Sequence, residues 1–220
     1  MSAESNALLL RTLGLTTAAK LDADLAHRAE AENWGYVRYL KRLLEEECNE
    51  RLRRRMERLR KHSGLPAGKT LAQVNEDRLP DKVRRQLPTL LTGEFVRRGD
   101  NLLCFGLPGR GKTLFVAALG HELITRHQIK VLFTPTFKLV THLLAAKRDL
   151  KLPSALAKLE RYEKRSVIIT SNLVFSQWDQ IFKDPMTTMA AIDRLVHHAT
   201  ILEFDGESVR TKKAKSRQTA

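Results

Sequence analysis

Cysteine is nearly absent from this chain: Cys48 and Cys104 are the two in 220 residues, and they lie far apart in sequence. That excludes a disulfide framework and any cysteine-rich zinc module, and it suits a reducing, cytoplasmic setting. Long apolar runs are also missing, and none approaches the ~20 residues that a membrane-spanning helix needs. The stretch Met1–Ala7 is polar and has no basic start, so it does not read as a secretory signal. Acidic residues are the scarcer charge, 25 Asp+Glu against 39 Lys+Arg, for a net charge of +14. Such an excess points to an anionic partner. What is plentiful is apolar residues, at 42%, enough for a real core, so general disorder is excluded. The length allows one medium domain or a core domain with a small helical appendage.

The positive charge is uneven. Arg51–Lys61 holds seven basic residues against Glu57, and Ser208–Arg217 holds five with no acid, so these two segments account for +11 of the +14. A charge run can be an ordinary solvated face. Two of them on a chain this basic favour a polyphosphate such as DNA, with Arg51, Arg54, Arg55, Arg58 and Lys61, and Lys212, Lys213 and Lys215 in the tail, as the contacts. A membrane surface fits less well, because neither run is backed by an apolar stripe rich in Trp or Phe.

The chain divides into a helical domain over 1–63, a linker over 64–99, an α/β domain over 100–206 and a basic tail over 207–220. In the first, Tyr36, Leu40, Leu43/Leu44, Cys48, Leu52, Met56 and Leu59 recur at helical spacing. The leucines upstream supply one or two shorter helices expected to pack against that stripe. Residues 64–99 are punctuated by Gly64, Pro66, Gly68, Pro80, Pro88, Gly93 and Gly99, with a short helical piece at Asp81–Gln86. From Asn101 the pattern alternates. Strands are expected at Asn101–Phe105, Val131–Thr134, Val167–Thr170 and Ile201–Phe204, and helices at Lys112–His127, Phe137–Lys147 and Met186–His198. That alternation implies an α/β fold with a parallel sheet.

Between the first strand and the first of those helices lies Gly106-Leu107-Pro108-Gly109-Arg110-Gly111-Lys112-Thr113, which matches G-x-x-x-x-G-K-[ST] at every fixed position. Glycines let backbone N–H groups wrap a phosphate, and the helix N-terminus adds unsatisfied donors and a positive dipole. In such a loop Lys112 reaches the β- and γ-phosphates of ATP, and the Thr113 hydroxyl ligates Mg²⁺. A bland glycine turn has no need of Lys-Thr at the helix start.

Beyond this loop, the runs Ile168-Ile169-Thr170-Ser171-Asn172-Leu173, Phe182-Lys183-Asp184-Pro185-Met186-Thr187-Thr188 and Ala191-Ile192-Asp193-Arg194-Leu195-Val196-His197-His198 resemble the IstB family, as does Ala31-Glu32-Asn33-Trp34 ahead of Leu40–Arg60. These are ATP-dependent helpers of insertion-sequence transposition, similar to DnaC-type helicase loaders within the AAA+ class. The resemblance implies a P-loop ATPase that assembles as a homo-oligomer on target DNA through its helical part and presents that DNA to a transposase. It also implies that Asn172, closing a strand, is the polar sensor of the γ-phosphate, and that Arg194 is an arginine finger supplied across a subunit boundary. As plain residues, Asn172 reads equally as a turn or cap asparagine and Arg194 as a solvated helix arginine. His197-His198 reads as a helix-end pair, since no third metal ligand lies at useful spacing.

One part of the pattern is missing. A phosphate loop of this class works with a second apolar strand ending in Asp-Asp or Asp-Glu, whose carboxylates hold Mg²⁺ through water and activate the attacking water. No run here ends that way; Ile201–Phe204 is followed by Asp205, but it is the last strand. In the family that strand falls between the positions of Tyr162 and Lys164, where this chain runs from Lys158-Leu159-Glu160-Arg161-Tyr162-Glu163 straight into Lys164-Arg165-Ser166-Val167. A deletion between two similar short sequences accounts for this. The expectation is a P-loop sheet lacking one strand, with Val131–Thr134 and Val167–Thr170 unpaired at the gap unless the sheet closes up with Val131–Thr134 sliding inward, and nucleotide binding with impaired hydrolysis. A helicase loader, or a basic DNA-binding remnant with a dead loop, are the alternatives.

Overall fold

The computed structural model describes residues 3–135, 145, 148–151, 166–173, 195–196 and 198–205. The chain divides into two compact units, Met1–Lys61 and His62–Ala220.

The first unit is helical, with α1 (Ala3–Thr12), α2 (Ala18–Ala31) and most of α3 (Tyr36–Ser63). The turn after α1 uses Gly14 at φ 73°, and the Leu15 N–H donates back to the Leu10 carbonyl at 2.8 Å, which closes the helix end. Asn33, at φ 51°, does the same for α2, and Trp34 N–H bonds Ala29 O at 2.8 Å. Ala18, Leu25 and Leu43 form the small core, with Leu10, Leu15, Leu21, Trp34 and Tyr39 against it. The N-terminus of α2 has no cap from its own Thr17 side chain. The buried carboxylate of Glu47 on α3 takes its place, accepting from Thr17 N–H at 2.7 Å and Ala18 N–H at 3.0 Å. Tyr39 donates to the buried Asp22 carboxylate, and burial first, then that bond and charge, push the phenol up to about 12.

The expected packing of this unit is therefore corrected. The face of α3 that meets α1 and α2 runs through Tyr39, Leu43 and Glu47, while Tyr36, Leu40, Leu44, Cys48 and Leu52 are exposed. Helical spacing picked out an apolar stripe, but the covered face is anchored by two buried carboxylates, which no count of apolar residues registers.

In the second unit, residues 64–99 are not a linker. They hold two 3₁₀ turns (Leu71–Gln73 and Glu76–Arg78), α4 (Asp81–Leu91) and α5 (Glu94–Arg98). Val83, Leu87 and Leu90 of α4 and Phe95 of α5 are buried in the main core. Gly93 and Gly99, both left-handed, delimit α5 rather than loosening the chain, and His127 at the end of the following long helix bonds the Leu91 carbonyl at 2.7 Å. Pro88 lies inside α4 without ending it.

Among the described residues three strands follow: β1 (Asn101–Phe105), β2 (Ile168–Ser171) and β3 (Ala199–Glu203), with α6 (Lys112–His127) after β1. They form a parallel sheet in the order β2-β1-β3. Alternation along β1 splits the core. Leu102 and Cys104 join Phe115, Leu119, Leu202 and Phe204, while Leu103 and Phe105 meet Ile169, Leu195 and Ile201. Asn101 ties the strand starts together, donating to Leu195 O at 3.1 Å and accepting from Val167 N–H at 2.9 Å.

The expected strand at Val131–Thr134 does not form. Residues 128–135 carry no regular structure, and the Phe133 N–H donates to Ser63 O at 2.6 Å instead of to a sheet neighbour. Among the described residues β2 pairs with β1 alone, so its far edge has no strand beside it. The helices expected over Phe137–Lys147 and Met186–His198, and the junction at 158–165, lie largely or wholly outside the described residues.

Glu47 supports a test. Its burial alone would raise the carboxyl pKa, but bonds from Ala18 N–H, Arg51 and Thr17 N–H outweigh that, and the group sits below its ordinary value. Stability from a depressed carboxyl is complete above the unfolded value and is lost as pH falls through the folded one. Glu47→Ala, which also orphans two N–H groups, is expected to destabilise the first unit by about 1–3 kcal/mol. In thermal melts followed by circular dichroism, the advantage of the parent chain over Glu47→Gln should shrink steadily as pH is lowered toward 3; a gap independent of pH would contradict this role.

Candidate functional site

The loop between β1 and α6 holds its shape through glycine geometry. Gly106, Gly109 and Gly111 sit at φ 140°, 83° and 85°, conformations that side chains rarely adopt. At Gly106 a Cβ would collide with the Phe204 carbonyl, so the loop begins where β1 passes against the end of β3. Phe204 N–H bonds Phe105 O at 2.8 Å, which pins that approach. Gly111 is the N-cap of α6 and offers no side-chain acceptor, so the first N–H groups of a 16-residue helix face the loop uncapped.

Lys112 folds back into the loop. It is only 6% exposed, and its ammonium donates to Gly106 O, to Leu107 O at 2.9 Å and to Asn172 Oδ1 at 2.8 Å. Burial lowers its pKa, the Cys104 side opposes that and Arg110 adds to it. Cys104, beneath the loop on β1, is pushed up to about 12 by burial, partly offset by Lys112, so its thiol stays neutral. Arg110 Nε is buried without a hydrogen-bond partner, and Thr113 is exposed. Uncapped helix donors, a buried ammonium held by neutral carbonyls and an orphaned guanidinium nitrogen are a donor set without an acid. Such a set fits a polyphosphate.

Of the residues expected here, the structure brings Gly106, Leu107, Pro108, Gly109, Arg110, Gly111, Lys112 and Thr113 into one loop and adds Asn172 through its bond to Lys112. Phe204, whose backbone shapes Gly106, was not read from sequence; no side-chain chemistry marks it. Arg194, His197, Arg210, Lys212, Lys213 and Lys215 lie outside the described residues. Among the described residues, no group of three or more His, Cys, Asp and Glu could hold a metal ion.

The basic run on α3 is more committed than its composition suggests. Arg51 bonds Glu47 at 2.7 Å and Gly14 O at 2.8 Å, and Arg53 and Arg54 both clasp Glu50, whose carboxyl is drawn down to about 2 by those two bonds. Arg55, Arg58 and Lys61 are exposed. The acids at 47 and 50, one turn before the arginines, are the signal that could have revealed this pairing.

Fold and loop together define a P-loop α/β protein. A sequence profile described as "IstB-like ATP binding protein" matches residues 8–161 and, as a second piece, 158–218. The chain belongs to that family. A Sinorhizobium fredii protein named as an insertion-sequence ATP-binding protein is 38% identical, covering 94% of this chain and 79% of its own. A protein of Pseudomonas aeruginosa, named for the ATP-binding protein of insertion sequence IS21, is 32% identical over 87% and 83% of the two chains. Another, from Geobacillus stearothermophilus and named for IS5376, is 32% identical over 92% of each.

These alignments are longer than the chain allows without a gap. The Sinorhizobium alignment runs over 237 positions but uses 94% of 220 residues, about 207, which leaves about 30 positions with no counterpart here. The Geobacillus alignment, 232 positions against 92% or about 202 residues, leaves about 30 as well. The two profile pieces meet and overlap at 158–161.

Gly106→Ala should cost at least about 2 kcal/mol, from a forbidden φ and a Cβ driven into the Phe204 carbonyl. Chemical denaturation of the second unit measures it, and an unchanged midpoint would show that β3 does not press on the loop.

Proposed function

We propose that this protein is an ATP-binding helper of insertion-sequence transposition that holds nucleotide and binds DNA and a transposase, but hydrolyses ATP poorly. The observation that carries the reading is the contrast within one sheet between a complete phosphate loop and a β2 edge with no acidic strand beside it among the described residues. The roughly 30 unmatched positions of two relatives and the profile break at 158–161 support a deletion at that point. One strand and one short helix are about that long.

In this reading the N–H groups of Gly106–Thr113 and of the first turn of α6 hold the β-phosphate. Lys112 exchanges its carbonyl acceptors for phosphate oxygens, and Asn172, released from Lys112, faces the terminal phosphate. The exposed Thr113 hydroxyl would hold Mg²⁺. The bound metal would neutralise charge on the phosphates. Among the described residues β2 ends in Thr170-Ser171 and has no further strand beside it to supply a carboxylate that accepts a proton from water. Loss of a general base alone lowers a rate by about 100- to 10,000-fold. Arg194 as a finger toward a neighbouring copy, and assembly on DNA through α3 and the tail, complete the proposal.

ATP titration and phosphate release measured on one sample, with DNA present, test it. Binding that Lys112→Ala removes, with release near background, is the expected result. Turnover at ordinary rates for the class, abolished by Lys112→Ala, would refute the hydrolysis defect. No affinity for any nucleotide in folded material would reduce the chain to a basic DNA-binding remnant.

DNA binding should tolerate sequence and weaken steeply with salt. Removing Arg55 and Lys61 should each lower the slope of log affinity against log salt by about 1, whereas Arg51→Ala should act mainly on stability. Salt-titrated fluorescence anisotropy separates the two; equal slopes for all three variants would count against α3 as the DNA face.

A further inference from the structure

The side chain of Arg110 is left unsatisfied in the phosphate loop. Its Nε is buried and has no hydrogen-bond partner. The residue as a whole is half-buried, so part of it meets solvent. Arginines elsewhere on the chain are held differently. Arg84 clasps Asp81 and Arg126 clasps Glu122, both at 2.6 Å, and Arg51, Arg53 and Arg54 bond Glu47 or Glu50 at 2.7 Å. Burying a guanidinium donor with nothing to accept it is costly, and a residue that only filled this position could be apolar. Gly109 and Gly111, at φ 83° and 85°, turn the backbone on either side of it, and Lys112 comes next. Two cations therefore stand two residues apart in a loop that contains no acid. Burial is the main reason the Lys112 pKa is lowered, and the Arg110 charge adds to it.

We infer that Arg110 is a second cationic ligand for the nucleotide phosphates, and that it gives this loop a grip on nucleotide that does not depend on Mg²⁺. The inference rests on the nucleotide-binding reading above and adds to it a residue and a metal dependence. A guanidinium takes a phosphate side-on through Nε and one terminal nitrogen, in two parallel bonds. In Arg110 that Nε is the free donor. In an ordinary P-loop site the metal cancels charge on the β- and γ-phosphates, and the acidic strand helps to hold it. Here, among the described residues, the sheet has no strand past β2 to bring such an acid. That leaves the Thr113 hydroxyl as the loop's own ligand for the ion. Arg110 and Lys112 together place two positive charges beside the phosphates from the protein itself, and the uncapped start of α6 adds its dipole. Charge that a metal would otherwise cover is thus met by side chains.

Calorimetric titration of the full chain with ATP, once in EDTA and once in excess Mg²⁺, tests this. The parent chain should bind in both buffers with similar affinity. Arg110→Met should weaken binding roughly 10- to 100-fold in EDTA, and clearly less in Mg²⁺, where the metal covers the charge. Arg110→Lys keeps the charge without the fork, so it should fall between the two. Thermal melts separate a ligand role from a structural one. Without nucleotide, Arg110→Met should melt no lower than the parent, since it removes an unsatisfied donor. With ATP in EDTA it should gain less in melting temperature than the parent does. A lower melting temperature without nucleotide, with an unchanged gain from ATP, would make Arg110 merely structural and overturn the inference. Lys112→Ala distinguishes the inference from the reading beneath it. If the parent binds ATP through Lys112 but only in Mg²⁺, or if Arg110→Met binds as tightly as the parent in EDTA, the role of Arg110 falls and the nucleotide reading stands. If folded parent protein binds ATP in neither buffer, both fall.

Discussion

A strand keeps its extended backbone only where a neighbour takes up its N–H and C=O groups, and the second unit is organised by that requirement. Among the described residues β1 has neighbours on both sides, and it is also the best buried strand, with four of its five residues in the core. The phosphate loop grows from its end. β3 presses on Gly106, and β2 delivers Asn172 to Lys112. Everything the loop needs for its shape comes from these three strands and α6. The loop keeps its shape although, among the described residues, no strand lies beyond β2, and Phe133 in the segment at 131–134 bonds Ser63 rather than a strand.

This separates two things usually treated as one site. Gripping a phosphate uses backbone donors, a helix end and one ammonium, all local to a single β-turn-α unit. Cutting it uses a carboxylate from a different strand. A chain can lose the second without disturbing the first, since the two draw on different backbone hydrogen bonds.

How much could be read in advance follows the same physics. β1, the loop and α6 were legible because eight consecutive residues fix backbone dihedrals, a helix start and a buried lysine together. β2 and β3 were found within a residue or two at most ends, since short apolar β-rich runs between helical segments have few other homes. The strand at 131–134 was misjudged because its sequence is strand-like, and spacing alone does not show that the Phe133 N–H goes to Ser63 O instead of to a strand. Residues 64–99 were misjudged because Gly93 and Gly99 look the same whether they loosen a linker or bound a helix. On α3, spacing marked the apolar residues but could not say which line of them would be covered. The buried Glu47 and Asp22 decided that, through bonds to residues distant in sequence.

The placement of α4 and α5 bears on anyone who would cut this protein into pieces. A fragment started at Asp100, where the composition changes, would carry the whole phosphate loop and still strip Val83, Leu87, Leu90 and Phe95 from against Leu102, Phe115 and Leu119. Its β1 would begin life with one flank wet, and it would be expected to precipitate rather than bind anything. The smallest piece worth expressing begins near His62, some forty residues earlier than the motif suggests.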